Sequence, residues 1–268
     1  MTDNTAALLL GLVQGLTEFL PVSSSGHLIL VSHLLQVNKA SLAAFEVVIQ
    51  LGSSLAVLVL YRQRFFALCN FTRATPFSGF RGLWLLFLTC LPASLLGLAC
   101  HEFIKLYLFK PMPVAAALAV GALFILFAER QSEQKHTAIT TASIDAVTPK
   151  LALGIGCFQC LALWPGFSRS TSTIMGGLLL GANRQTAAEY SFLSAVPIMF
   201  GASLLSLLSD LPKLNSADLP FFALGTGMSF LSALFAIKMF IRLISRISFR
   251  PFAWYRLLLA PLVFWFWI

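Results

Sequence analysis

Pro21-Val22-Ser23-Ser24-Ser25-Gly26-His27 interrupts an apolar run, residues 5–35, and Pro165-Gly166-Phe167-Ser168-Arg169-Ser170-Thr171-Ser172-Thr173 interrupts another, residues 151–182. Each flanking half is about 10–16 residues long, whereas a helix needs about 20 apolar residues to cross a bilayer. Halves this short suit a re-entrant hairpin: helix in, polar loop, helix out. Irregular backbone at membrane depth is tolerated only where protein or a water-filled cavity satisfies it.

Outward from the breaks, six windows are long and apolar enough to span: roughly 43–61, 82–100, 111–128, 187–209, 219–241 and 251–268. The composition agrees. The 268 residues are 58% hydrophobic and 10% charged, against about 25% charged in a soluble domain. The reading is an all-α, polytopic integral membrane protein of about six transmembrane helices plus two re-entrant hairpins, in one membrane domain over 1–268. Lys and Arg number 18 against 10 Asp and Glu, a net charge of +8. These cations lie mostly in short loops, as the positive-inside rule requires. They imply contact with anionic head groups rather than with nucleic acid. Cys157 and Cys160 form a lone CxxC without the further ligands of a zinc site, so the five cysteines read as apolar packing. The N-terminus has no Lys or Arg before its apolar run, so it is expected to be retained rather than cleaved as a signal peptide.

The two broken regions resemble each other. Gly11, Gln14, Pro21 and the serines are echoed by Gly156, Gln159, Pro165 and Ser168-Arg169-Ser170, and Glu46 and Glu189 follow at similar distances. Two copies of one unit are expected: repeat one over about 1–128, a cytoplasmic linker over about 129–150, and repeat two over about 151–268. Arg62, Arg64, Arg73 and Arg81 place 62–81 in the cytoplasm, and Arg242, Arg246 and Arg250 place 242–250 there. Asp210, Lys213 and Asp218 leave 210–218 outside. The first hairpin then enters from outside and the second from the cytoplasm. That is an inverted repeat, whose broken helices meet near the midplane.

Glu18, His27 and Arg169 are ionisable groups in apolar surroundings, where a charge costs about 2.5–3.5 kcal/mol on insertion scales. Arg keeps its charge, so Arg169 needs an anionic partner. A structural Arg169–Glu18 ion pair is the plainer account, but it leaves the surrounding hydroxyls unexplained. Ser23, Ser24, Ser25 and Gly26 precede a helix expected to begin near Gly26 or His27, so its N–H groups would point back into the loop. Ser168, Arg169, Ser170 and Thr173 do the same in the second break. Two helix N-termini, a guanidinium and many hydroxyls describe a site for a multiply charged phosphate. N-capping explains one Ser or Thr per helix, not all of them. Glu18 is a candidate metal ligand or general base, with Gln14, one turn earlier on the same face, a weaker oxygen donor. His27 is a candidate acid or base. Glu46 and Glu189 divide between functional and structural roles.

The stretch Gln14-Gly15-Leu16-Thr17-Glu18-Phe19-Leu20-Pro21-Val22-Ser23-Ser24-Ser25-Gly26-His27, with Pro165 to Thr173, resembles the two signatures of the bacterial undecaprenyl-diphosphate phosphatases, the bacitracin-resistance family. Phe45 to Gly52 and Arg246 to Arg256 are also similar, so the resemblance covers essentially the whole chain. It implies hydrolysis of a C55 polyprenyl diphosphate to the monophosphate, recycling the carrier lipid of cell-wall synthesis. It also implies a divalent cation, Mg2+ or Ca2+, and an inner-membrane site open to the periplasm. Carried over by motif, Glu18, Ser24, His27 and Arg169 are the main functional positions, with Ser168, Ser170 and Thr173 lining the phosphate site. The first acidic position, often Glu in the family, is Gln14 here, which shifts weight onto Glu18.

Two other readings compete with this one. Acid-phosphatase-like lipid phosphatases need a His soon after Ser-Arg, and none follows Arg169. A transporter or flippase for a polyprenyl phosphate lipid shares the inverted-repeat architecture. The sequence leaves a homo-oligomer open.

Overall fold

The computed structural model describes residues 3–37, 41–71, 76–134, 141–210, 218–244 and 246–267. Arg73 and Lys213, used above for orientation, lie outside them. The described residues are helical apart from turns and one isolated parallel bridge, Thr141 with Ala182.

The first break is made by α1 (Asp3–Thr17) and α2 (Ser24–Leu34). It is followed by α3 (Leu42–Leu60), the short α4 (Arg62–Leu68), α5 (Gly79–Ala99), the turn α6 (His101–Phe103) with a π segment (Ile104–Leu108), and α7 (Pro111–Gln134). The second break lies between α8 (Pro149–Gln159), extended by a 3-10 turn (Cys160–Leu163), and α9 (Arg169–Leu179). Then come α10 (Arg184–Asp210), α11 (Leu219–Ile244) and α12 (Arg250–Trp267). Pro149 opens α8 behind a Thr148 cap whose hydroxyl accepts from Leu151 N–H at 3.2 Å.

Among the described residues, α3, α5, α7, residues Arg184–Leu208 of α10, and α11 are long and apolar enough to cross a membrane. The sixth expected window, 251–268, forms the 18-residue α12, whose apolar character is diluted by Arg250 and Arg256. Phe80, Leu258 and Trp265 are more than 70% exposed. Apolar faces this open would associate in water, and in a bilayer they meet acyl chains. This is a multi-pass membrane protein.

The packing pairs the two halves of the chain. α1 lies against α11, and α8 against α5; α2 lies against α12, and α9 against α7. Small residues allow the close approach that membrane helices use in place of hydrophobic exclusion. A Cβ on Gly11 would collide with the Gly225 carbonyl, and one on Gly156 would come within 2.6 Å of the Thr89 carbonyl. α7 runs past 129 to Gln134. Fully buried Glu129 accepts from Arg184 Nε at 3.2 Å, Arg184 Nη2 at 2.6 Å and Phe249 N–H at 3.0 Å.

Candidate active site

The two breaks meet. Glu18 closes the turn after α1, held by its neighbour Phe19, which is fully buried and packs edge-on against Phe192 of α10 at 5.1 Å. Glu18 Oε1 accepts from Arg169 Nη2 at 3.2 Å, and Ser170 Oγ donates to the Leu20 carbonyl at 2.8 Å. The other carboxylate oxygen, Glu18 Oε2, accepts from Ser24 Oγ at 2.7 Å and from Gln14 Nε2 at 2.9 Å. One carboxylate therefore joins a hydroxyl of the first break to the guanidinium of the second.

The helix after the first break starts earlier than expected, at Ser24 rather than near Gly26 or His27. The reason is local. Ser23 takes φ 71° and caps α2, its hydroxyl accepting from Gly26 N–H at 3.4 Å. Ser168 repeats the device with φ 81°, accepting from Thr171 N–H at 3.3 Å. A non-glycine residue at such φ carries about 1–3 kcal/mol of strain, persisting only where its surroundings fix it. Both caps thus place the next residue, Ser24 or Arg169, in the first helical turn and half-buried.

The remaining expected residues divide into two groups. Ser25 and Ser168 are half-buried, Ser25 Oγ lying 3.3 Å from Ser23 Oγ and Ser168 Oγ 2.9 Å from Ser170 Oγ. Gly26, Ser170 and Thr173 are buried. Thr173 Oγ1 donates to the Arg169 carbonyl at 2.9 Å and shares a 2.6 Å hydrogen bond with Ser191 Oγ, so it braces Arg169 from behind. His27 does not face the carboxylate through a free nitrogen. Its Nδ1 lies 2.7 Å from the Ser23 carbonyl, and its Nε2 lies 2.6 Å from Tyr255 Oη. A carbonyl only accepts, so in the neutral ring Nδ1 carries the proton and Nε2 accepts from Tyr255. Glu189 is hydrogen-bonded by Gln185 at 2.9 Å and Glu46 sits on α3; among the described residues neither hydrogen-bonds to the Glu18–Arg169 pair.

The family model for bacitracin resistance protein BacA matches residues 7–262. The chain belongs to the BacA family. It is 58% identical to the undecaprenyl-diphosphatase of Maridesulfovibrio salexigens over the full length of both chains. It is 58% identical to that of Nitratidesulfovibrio vulgaris over 99% of each. Undecaprenyl-diphosphatase 1 of Bacillus thuringiensis is 46% identical over 98% of this chain and 97% of its own.

In this BacA-family chain, three contributors were not legible as site residues. Ser191 of α10 accepts from Arg169 Nη1 through its carbonyl at 3.2 Å and its hydroxyl at 3.3 Å. Tyr255 holds His27. Arg256, fully buried, holds the second break: Nη2 donates to the Gly166 carbonyl at 3.0 Å and Nη1 to Thr171 Oγ1 at 2.7 Å. The only sequence signal was the similarity of Arg246 to Arg256 to the family, which assigned these residues no role.

Oxygen donors for a divalent cation are few but present. Gln14 Oε1 is buried without a hydrogen-bond partner beside Glu18. No group of three or more His, Cys, Asp or Glu gathers among the described residues. One carboxylate and one amide oxygen fit a cation completed by phosphate oxygens and water, the habit of Mg2+.

Proposed function

We infer that this chain hydrolyses undecaprenyl diphosphate to undecaprenyl phosphate and inorganic phosphate. It thereby recycles the carrier lipid for peptidoglycan synthesis and gives bacitracin resistance. The observation that carries the inference to this site is the 2.7 Å hydrogen bond from Ser24 Oγ to Glu18, whose other oxygen meets Arg169. Nucleophile, base and cation converge there. A lipid whose tail stays in the bilayer is suited to a site between helices.

In the mechanism this geometry favours, Ser24 Oγ attacks the terminal phosphorus while Glu18 takes its proton. The serine hydroxyl is a weak nucleophile and requires such a base. The bond from phosphorus to the bridging oxygen breaks, undecaprenyl phosphate leaves, and Glu18 can return the proton to it. Water then attacks the phosphoserine, Glu18 accepts its proton, and Ser24 departs with that proton as inorganic phosphate is freed. Arg169 moves from Glu18 to the phosphate oxygens, where its planar fork matches the charge spread over them in the transition state. The N-termini of α2 and α9 add backbone N–H dipoles. His27, with Nε2 engaged by Tyr255, orients the first break rather than serving as the base. Glu18 and the unbonded Gln14 Oε1 are the donors that would hold Mg2+ or Ca2+, which supplies charge neutralisation to the diphosphate when bound. Membership of the BacA family is what supports a site opening to the periplasmic face of the inner membrane.

The test is phosphate release from a polyprenyl diphosphate in detergent, where transport has no meaning. Activity is expected, lost in Glu18→Ala and Arg169→Ala. No release from any isoprenoid diphosphate would return the reading to a lipid transporter. Ser24→Ala separates serine attack from direct attack by water: a trapped phosphoenzyme in the parent and none in the variant supports the former, and undiminished turnover sinks it.

A further inference from the structure

Two adjacent residues of the last helix each hold one of the two breaks. Tyr255 Oη donates to His27 Nε2 at 2.6 Å, and the rings stack with centroids 5.5 Å apart and planes within 10°. His27 in turn donates to the carbonyl of Ser23, the residue at φ 71° that sets Ser24 into the first turn of α2. Arg256 is 0% exposed, and four of its five N–H donors reach the Leu118, Ala117 and Gly166 carbonyls and Thr171 Oγ1 at 2.7–3.2 Å. None of these acceptors carries a formal charge. Burying a guanidinium costs several kcal/mol even when its hydrogen bonds are made, so placing one here for packing alone would be a poor solution. Room is reserved for it: a Cβ on Gly121 of α7 would collide with the guanidinium.

We propose that Tyr255 and Arg256 are positioning residues for the phosphatase reaction. Tyr255 fixes Ser24 through His27, and Arg256 fixes Arg169 through Gly166 and Thr171. The inference rests on the proposed function and adds the parts that set its geometry. A fork of four hydrogen bonds spanning α7 and the second break ties the loop to a helix core. Without it, the turn at Ser168 loses the support that its positive φ requires. On the other side, Tyr255 gives His27 one tautomer, and a ring with a fixed Nδ1–H holds the Ser23 carbonyl in place.

The two arms differ kinetically. Tyr255 acts on the attacking hydroxyl, so Tyr255→Phe, which keeps the ring stack, lowers kcat about tenfold with KM within about twofold. His27→Asn keeps a donor for the Ser23 carbonyl but removes the acceptor for Tyr255. Adding Tyr255→Phe to it therefore lowers kcat no further. Arg256 acts on the group that binds phosphate, so Arg256→Lys raises KM and lowers kcat together. Thr171→Val, which removes one acceptor and leaves Arg256 intact, does the same more weakly and carries the test if Arg256→Lys fails to fold. The assay is phosphate release in detergent on purified, monodisperse protein with melting temperatures recorded. An active parent with unchanged kcat in Tyr255→Phe, additive loss in the double variant, or effects of Arg256→Lys and Thr171→Val on melting alone would overturn the proposal. A parent releasing no phosphate overturns the functional reading instead, and this inference with it.

Discussion

The two breaks share a backbone and divide the chemistry. Gly11, Gln14 and Ser23 stand at the same spacing as Gly156, Gln159 and Ser168. Both serines cap the second half-helix from a positive φ, and both glutamines leave a buried Oε1 unbonded. At that spacing Glu18 aligns with Leu163, Ser24 with Arg169 and His27 with Ser172. The consequence appears in the glutamines. Gln14 donates to Glu18 four residues on, whereas Gln159, with Leu163 in that place, donates 3.1 Å to the Thr89 carbonyl of α5. The second break is anchored into its neighbour, and the first directs its amide at the site. A common frame thus delivers a residue to the same place twice, a hydroxyl from one side and a guanidinium from the other. Only the side chains decide which break attacks and which binds.

Four experiments bear on this division. Glu18→Gln removes the proton acceptor and the partner of Arg169 while keeping size. Phosphate release should fall about 1,000-fold, and a loss under tenfold would show that the first break does not supply the base. Arg169→Lys keeps the charge and loses the fork, so kcat/KM should fall about 100-fold; near-normal kinetics would mean that the second break contributes charge alone. Gly11→Ala and Gly156→Ala push a Cβ against α11 and α5 respectively. Each should cost about 1–3 kcal/mol on thermal unfolding in detergent, and a large cost on one side with none on the other would break the equivalence of the two contacts. The smallest effect falls on the caps. Ser23→Ala and Ser168→Ala lose a hydrogen bond and keep the strain, costing about 1 kcal/mol, whereas Ser→Gly at either position relieves strain and should cost less than a few tenths. Melting temperatures ordered Gly below Ala would contradict a strained cap.

Legibility followed distance along the chain. Gln14 and Glu18, one helical turn apart, were readable as a pair, and their hydrogen bond is a local consequence of helix geometry. The excess of hydroxyls beyond capping marked both breaks, although capping claims Ser23 and Ser168 and the bracing of Arg169 claims Thr173. His27 was singled out for acid–base work on residue type. Its partner Tyr255 lies on the last helix, where no spacing rule could reveal it. Arg256 was hidden by its position within an expected span, where a cation reads as an interruption. Glu129 read as a charge of the linker, and its partners Arg184 and Phe249 lie 55 and 120 residues along the chain, where no local rule could reveal them.

By itself the sequence determined the solvent and the parts. Too few charges to cover a soluble surface, half-helices too short to span, and two related polar motifs follow from composition and period, which are properties of the unfolded chain. Tertiary structure decided the meetings: Ser24 with Glu18, Glu18 with Arg169, Tyr255 with His27, and Arg256 with the second break. All but the first join residues far apart in the chain. Which of many polar groups becomes the partner of a buried charge depends on how the helices pack, and that is fixed by close contacts such as Gly11 on Gly225 and Gly156 on Thr89, not by local propensity.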